Sequence, residues 1–131
     1  MDKEKYKTFE DLEVYKMACE FRKKIYELIK KLPSEEKYNL NQQMRRAITS
    51  ITNNVAEGHG RYHYQENIQF CRQARGSLEE IIDDLNICLE QGYFSDDYLK
   101  ELKNEGYQLL KKLNGYIKYL RKRKERESIA I

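Results

Sequence analysis

The stretch Gln42–Gly58, QQMRRAITSITNNVAEG, decides the fold. Its apolar residues Met44, Ala47, Ile48, Ile51 and Val55 recur at intervals of three and four, the spacing of one face of an α-helix. Leu40 extends the stripe upstream and Gly58 stands after it. The same period runs through the rest of the chain. Val14, Ala18, Phe21, Ile25, Leu28 and Leu32 form a stripe closed by Pro33, with Thr8 and Asp11 as an N-terminal capping pair. Phe70, Ala74, Leu78, Ile81, Leu85 and Cys88, widened by Ile82 and Leu89, form another that stops at Gly92. Leu99, Leu102, Leu109, Leu113, Tyr116, Ile117 and Leu120 form the last, behind a Ser95-Asp96-Asp97 cap.

These stripes predict helices over about 9–32, 35–57, 64–91 and 95–124, with frayed residues beyond Lys124. Short links force successive helices to run antiparallel. The predicted fold is all-α, an up-down-up-down four-helix bundle in one domain over residues 1–131. A charged content of 36%, one proline and six glycines agree with that and not with a turn-rich β-sandwich or barrel.

No apolar run is long enough to span a bilayer, so no membrane partner is expected. The acidic, non-apolar start MDKEKYKTFEDL is unlike a signal peptide. Cys19, Cys71 and Cys88 are odd in number and sit within apolar patterns, which predicts buried free thiols in a reducing cytoplasm.

Charge is uneven. The chain carries a formal +3, but Lys111–Arg126 holds eight basic residues against Glu125, whereas Gly58–Gln91 holds three against six acids. The candidate polyanion patch is Lys118 with Arg121, Lys122, Arg123 and Lys124, beside Tyr116 and Tyr119 whose rings suit stacking on unpaired bases. The alternative is a solvated helix end matched to the macrodipole. Arg45, Arg46, Arg61 and Arg75 are further candidate phosphate contacts.

The loop NNVAEGHGRYH, Asn53–His63, gathers both histidines and a glutamate, yet it lacks the partners of a catalytic or metal site. His59 and His63 have no third ligand, and no phosphate loop, nucleophile elbow or HExxH is present. No catalytic residue, metal or cofactor is expected. Glu57 lies where a helix dipole disfavours an acid by roughly 0.3–1 kcal/mol, which predicts a definite partner such as Arg61 or backbone amides of the next helix. Arg61 is then either that partner or a phosphate contact. Gly58 is read as the left-handed residue that ends helix 2.

The polar cluster Thr49, Ser50, Thr52, Asn53 and Asn54 predicts packing against another polar surface, within the bundle or across a subunit contact. Gly76 and Ser77 stand in mid-helix. A hairpin folded about Arg61 brings them level with Arg45 and Arg46, as a packing notch or as a seat for a ligand or guanidinium.

Gln43-Met44-Arg45-Arg46-Ala47, Ser50-Ile51 and Asn54-Val55-Ala56-Glu57-Gly58 together resemble the signature of the 23S rRNA intervening-sequence proteins, a family sometimes misnamed a ribosomal protein. Arg61-Tyr62, Glu66, Phe70 and Ala74-Arg75-Gly76-Ser77-Leu78 with Glu80 resemble its second block, and Phe9–Val14 its opening. The likeness covers about residues 9–120, with Val55 where Ile is usual. It implies a small bacterial four-helix protein that is not an enzyme and that forms ring-like homopentamers. A related fold serves as the accessory protein of diversity-generating retroelements, binding nucleic acid and a reverse transcriptase. The resemblance gives Ser50, Asn54, Glu57, Gly58, Gly76 and Ser77 structural or assembly roles. The expected function is non-catalytic binding of nucleic acid, structured RNA above all, by a homo-oligomer. The alternative is a protein scaffold or accessory subunit for an enzyme such as a reverse transcriptase.

Overall fold

The computed structural model describes residues 8–130, and among them every long element is helical. Helices α1 (Glu13–Lys30), α2 (Leu40–His59), α3 (Tyr64–Gln91) and α4 (Asp96–Ala130) form the bundle. Helix α1 packs on α2 and α4, and α3 closes the square by packing on the same two. The α2–α3 and α3–α4 contacts are the most extensive; α1 and α4 touch least. The up-down-up-down fold expected from the apolar period is therefore the fold observed. The first seven residues, including most of the stretch read as lacking a leader, lie outside the described residues.

The core follows the stripes closely. All six expected positions of α2, from Leu40 to Val55, are buried, as are Val14, Ala18, Phe21, Ile25 and Leu28 of α1. Four expected core residues are not, Tyr116 among them, which is half-buried. Leu32 lies past the last turn of α1 and is half-buried. Leu89 is exposed. Phe70 is half-buried, because the first turns of α3 bury Asn67, Ile68 and Cys71 and leave Phe70 at the edge of that face. Cys19 is also only half-buried, against the expectation for all three thiols. Cys71 and Cys88 are buried, and burial pushes their thiols up to about 12 and about 11, which leaves both protonated and unreactive.

The helix ends have local causes. Thr8 and Asp11 form the expected reciprocal cap, but it closes a short 3-10 turn at Phe9–Asp11, and α1 starts only at Glu13. Residues Ser34–Glu36 form a second such turn instead of the first turn of α2. Glu36 is held there by the Tyr93 hydroxyl at 2.5 Å and the Asn39 amide at 3.2 Å, so helix growth waits until Leu40. Ser95 Oγ accepts from the Tyr98 amide as the cap of α4. Gly92 carries the one positive φ among the described residues, 69°. Its amide and that of Tyr93 bond Leu89 and Cys88, a glycine-closed helix end.

Gly58 does something different from what the sequence suggests. Helix α2 runs through it to His59, and Gly60 forms the cap with an ordinary φ of −77°. Gly58 is buried inside the helix, where a Cβ would stand 2.6 Å from Asn67 Oδ1 and 3.0 Å from Phe70 Cβ. The glycine is required by close approach of α3, not by backbone conformation. Continuing α2 to His59 also moves the hairpin register. Ser50 Oγ meets Ser77 Oγ at 2.9 Å, so Arg45 and Arg46 lie a turn or more away from the level of Gly76 and Ser77. The C-terminal residues do not fray after Lys124 either: α4 continues to Ala130. Arg123 and Lys124 fasten it to α3 through Tyr64 and Gln65, and straight-chain residues favour the helix beyond.

Replacing Gly58 with Ala is expected to lower stability by about 1–3 kcal/mol, the range for overpacking a close contact. Urea unfolding measures this; an unchanged midpoint would refute the close-approach role.

Candidate nucleic-acid interface

Four consecutive basic residues on a helix cannot form one patch, because successive side chains turn by about 100°. The structure divides Arg121–Lys124 accordingly. Arg123 lies over the Tyr64 ring at 5.9 Å and donates to its hydroxyl at 3.3 Å. Lys124 donates to Gln65 Oε1 at 2.5 Å, and with Arg121 and Arg72 of α3 it lines an open groove of about 560 Å³. Lys122 points elsewhere. It shares a face of α4 with Lys111, Lys118 and Arg126 at spacings of seven and four, and all four are exposed. Among the described residues none of these four has a partner.

This stripe is a row of exposed cations along the outer face of α4, with the exposed acid Glu125 on the same face. Lys111 and Lys112 also edge an open groove of about 690 Å³ between α1 and α4, floored by Val14, Met17, Gly115 and Tyr116. Tyr116 and Tyr119 stack with rings 6.3 Å apart and 15° between planes. The lower ring is anchored: the Asn67 amide donates to the Tyr116 hydroxyl at 3.4 Å, and burial pushes that phenol up to about 12. The upper ring is 54% exposed beside the stripe. The basic segment is not at the dipole end of the helix. Its last turn holds no basic residue, so macrodipole matching does not account for Lys111–Lys124.

The other predicted contacts are scattered. Arg75 donates to Asn114 at 2.9 Å across α3 and α4. Arg45 donates to Asn41 at 2.9 Å and covers the Tyr26 ring at 5.6 Å. Arg46 is exposed with no partner among the described residues. None of the three joins the α4 stripe. Arg61 is occupied: its guanidinium bonds Glu57 at 2.7 Å, lies 3.8 Å from Glu66 and covers Phe70 at 4.8 Å. Of the two roles open to it in the sequence, this geometry is that of the Glu57 partner. Glu57 and Arg61 are 56% and 41% exposed, so solvent screens the pair.

Most of the polar face of α2 is satisfied inside the chain. Thr52, 2% exposed, accepts from Arg22 of α1 at 2.8 Å. Asn54 donates to the Ser50 carbonyl and hydroxyl at 2.8 and 2.9 Å, and Ser50 meets Ser77. Thr49 bonds back to Arg45. Asn53 stays exposed and lines a shallow groove with Phe9, Ala56, Glu57, Gly60 and Arg61. Gly76 is neither a notch nor a seat within the subunit: it is exposed, and a Cβ there would meet nothing within 4 Å.

Sequence reasoning missed Asn67 and Asp84, two buried polar residues of α3. The only signal was their place near the apolar stripe, at Asn67 beside Ile68 and at Asp84 beside Leu85. Among the described residues no group of three His, Cys, Asp or Glu side chains is arranged to hold a metal. No described helix is long and apolar enough to cross a membrane.

Fold and surface together define an antiparallel four-helix bundle whose polar interior is structural and whose basic residues lie along α4. The 23S rRNA-intervening sequence protein family model matches residues 10–115, and the chain belongs to that family. A solved structure from Bacteroides thetaiotaomicron, a protein of unknown function from the S23 ribosomal protein family, is 24% identical. It superposes with a TM-score of 0.74 over 80% of this chain and 98% of its own, which shows the shared fold. No curated protein matches.

Replacing Glu57 with Gln is expected to cost less than about 1 kcal/mol, as for an exposed helical ion pair. Thermal unfolding at low and high salt checks it, with the difference shrinking at high salt. A loss of several kcal/mol would mean the pair is buried in an assembly.

Proposed function

We propose that this chain is a non-catalytic, nucleic-acid-binding protein that meets structured RNA through α4 and multiplies that surface by self-association. The observation that carries the reading is the exposed stripe Lys111, Lys118, Lys122 and Arg126 with Tyr119 beside it. Several cations spaced along one face neutralise successive phosphates and release counterions, giving affinity that falls steeply with salt. An exposed ring adds stacking on unpaired bases without sequence choice. The family's name ties its members to insertions in large-subunit ribosomal RNA, which favours RNA as the polyanion.

A homopentameric ring, as the family resemblance implies, would repeat the stripe five times and raise avidity without new contacts. Gly76 favours an assembly role. A glycine in mid-helix costs about 1 kcal/mol relative to Ala, and no neighbour within the subunit needs the space. The second reading, an accessory subunit for a nucleic-acid enzyme such as a reverse transcriptase, is favoured by the exposed rings of Tyr38, Tyr62 and Tyr107, which suit a protein partner.

Titration of a labelled structured RNA at two salt concentrations tests the first reading. Changing Lys111, Lys118 and Lys122 together to Gln is expected to lower the slope of log affinity against log salt by about two to three. The pair Arg123→Gln and Lys124→Gln is expected to change it less. Absence of binding by the unaltered protein at low salt would overturn the RNA reading and leave the protein-partner one.

Assembly is tested separately by light scattering on a sizing column. Gly76→Arg is expected to reduce the oligomer while leaving the helical content intact, since the position is open in the subunit. If Gly76→Arg assembles normally, Gly76 is not at the contact.

A further inference from the structure

Asp84 is the one acidic side chain of the described residues sealed in the core, at 0% exposure. It lies on α3 where that helix packs on α2, with Leu85 and Ile81 around it on the same buried face. One carboxylate oxygen accepts from Gln43 Nε2 of α2 at 2.6 Å. The other has no hydrogen-bond partner. No described salt bridge reaches it. Its own helix presents acids, Glu80 and Asp83, and the buried thiol of Cys88 one turn on. From α2 the facing group is the neutral Gln43; Arg45 is engaged with Asn41 and Arg46 is exposed. On α4 the cation nearest that level, Lys103, is bonded to Asn86.

A carboxylate in this setting keeps its charge with one donor where two or three are usual, and with like charges near it. The neutral acid is far cheaper to bury. We propose that Asp84 is a proton-operated latch between α2 and α3, which holds the two helices closed while the carboxyl is protonated and loosens them when it ionises.

Burial, opposed by the Gln43 hydrogen bond, raises Asp84 to about 7. The folded value thus lies above the unfolded one near 3.9, and the sign of the linkage follows. The stability due to this group is fully present below about pH 4 and is lost as pH rises through about 7. Between about pH 4 and about 7 the folded-to-unfolded ratio falls by about tenfold for each unit of pH, and above the folded midpoint the loss levels off because both states are ionised. The latch works at the pH of ordinary buffers.

The test uses the full chain. The carboxyl carbon of Asp84, followed by NMR between pH 3 and 9, is expected to titrate with a midpoint near 7. A midpoint near the ordinary value of about 4 would overturn the proposal. Urea unfolding at pH 5.5 and 8.5 supplies the second reading, on the unaltered chain and on Asp84→Asn. The unaltered chain is expected to lose stability towards pH 8.5 and the variant to lose much less, since the two differ only at residue 84. Parallel losses would assign the pH dependence elsewhere and sink the latch. Gln43→Leu, which removes the sole donor, is expected to move the NMR midpoint upward, and an unmoved midpoint would also count against it. Amide protection in residues 40–47 and 80–88, corrected for the faster intrinsic exchange at higher pH, is expected to fall as pH rises through the midpoint in the unaltered chain alone.

Discussion

The absence of a side chain at Gly58 governs how the second half of the bundle is put together. It admits α3 so closely that Asn67 fills the space a Cβ would need. Asn67 is in turn the polar centre of the neighbouring layer. Its carbonyl oxygen accepts from the Cys71 thiol at 3.5 Å, and its amide donates to Tyr116 of α4. Tyr116 then supports the exposed ring of Tyr119. One missing methyl on α2 is thus linked through α3 to the aromatic edge of the basic face on α4. A buried amide is costly unless bonded, so the three helices are held to one mutual placement, beyond what apolar packing would require.

How much of this could be read from the sequence divides by physical range. The period of three and four residues reports which side of a helix avoids water, and it located nearly every core position of α1, α2 and α4. It could not report that Phe70 sits at the edge of the α3 stripe while Asn67 sits inside it, because that depends on how close α2 comes. Gly58 shows the same limit. From sequence, a glycine after an apolar stripe reads as a helix end. Only the approach of Asn67 and Phe70 reveals a helix interior, and that longer α2 moves the register that sequence symmetry placed about Arg61.

Charge was legible in amount but not in direction. The basic segment stood out in composition, yet Arg121, Lys122, Arg123 and Lys124 are consecutive and so face different neighbours. Two of them serve α3, while Lys122 joins lysines four and eleven residues before it along the helix. The ion pair of Glu57 and Arg61 was legible, because an acid at the wrong dipole end calls for a partner and Arg61 follows four residues on, just past the Gly60 cap. Asp84 was not. Next to Asp83 and behind Glu79 and Glu80 it reads as another member of an acidic surface, and only the turn of α3 puts it inside.

The family signature takes on a definite physical meaning in this light. Gln43 bonds Asp84, Met44 and Ala47 are core, Ser50 receives Asn54 and meets Ser77, Val55 is core, and Gly58 admits Asn67. Nearly every signature position of α2 is spent on joining it to α3 or on its own helix. Arg46 is the clear exception, since it reaches solvent unpaired among the described residues. A motif composed of packing positions specifies a hairpin, and it leaves the chemistry of any partner unspecified. Proteins sharing it can share a scaffold while differing in what they touch. A partner-setting residue is then to be sought where the signature does not reach, and the outer face of α4, where Lys111, Lys118, Lys122 and Arg126 are exposed, is one such surface.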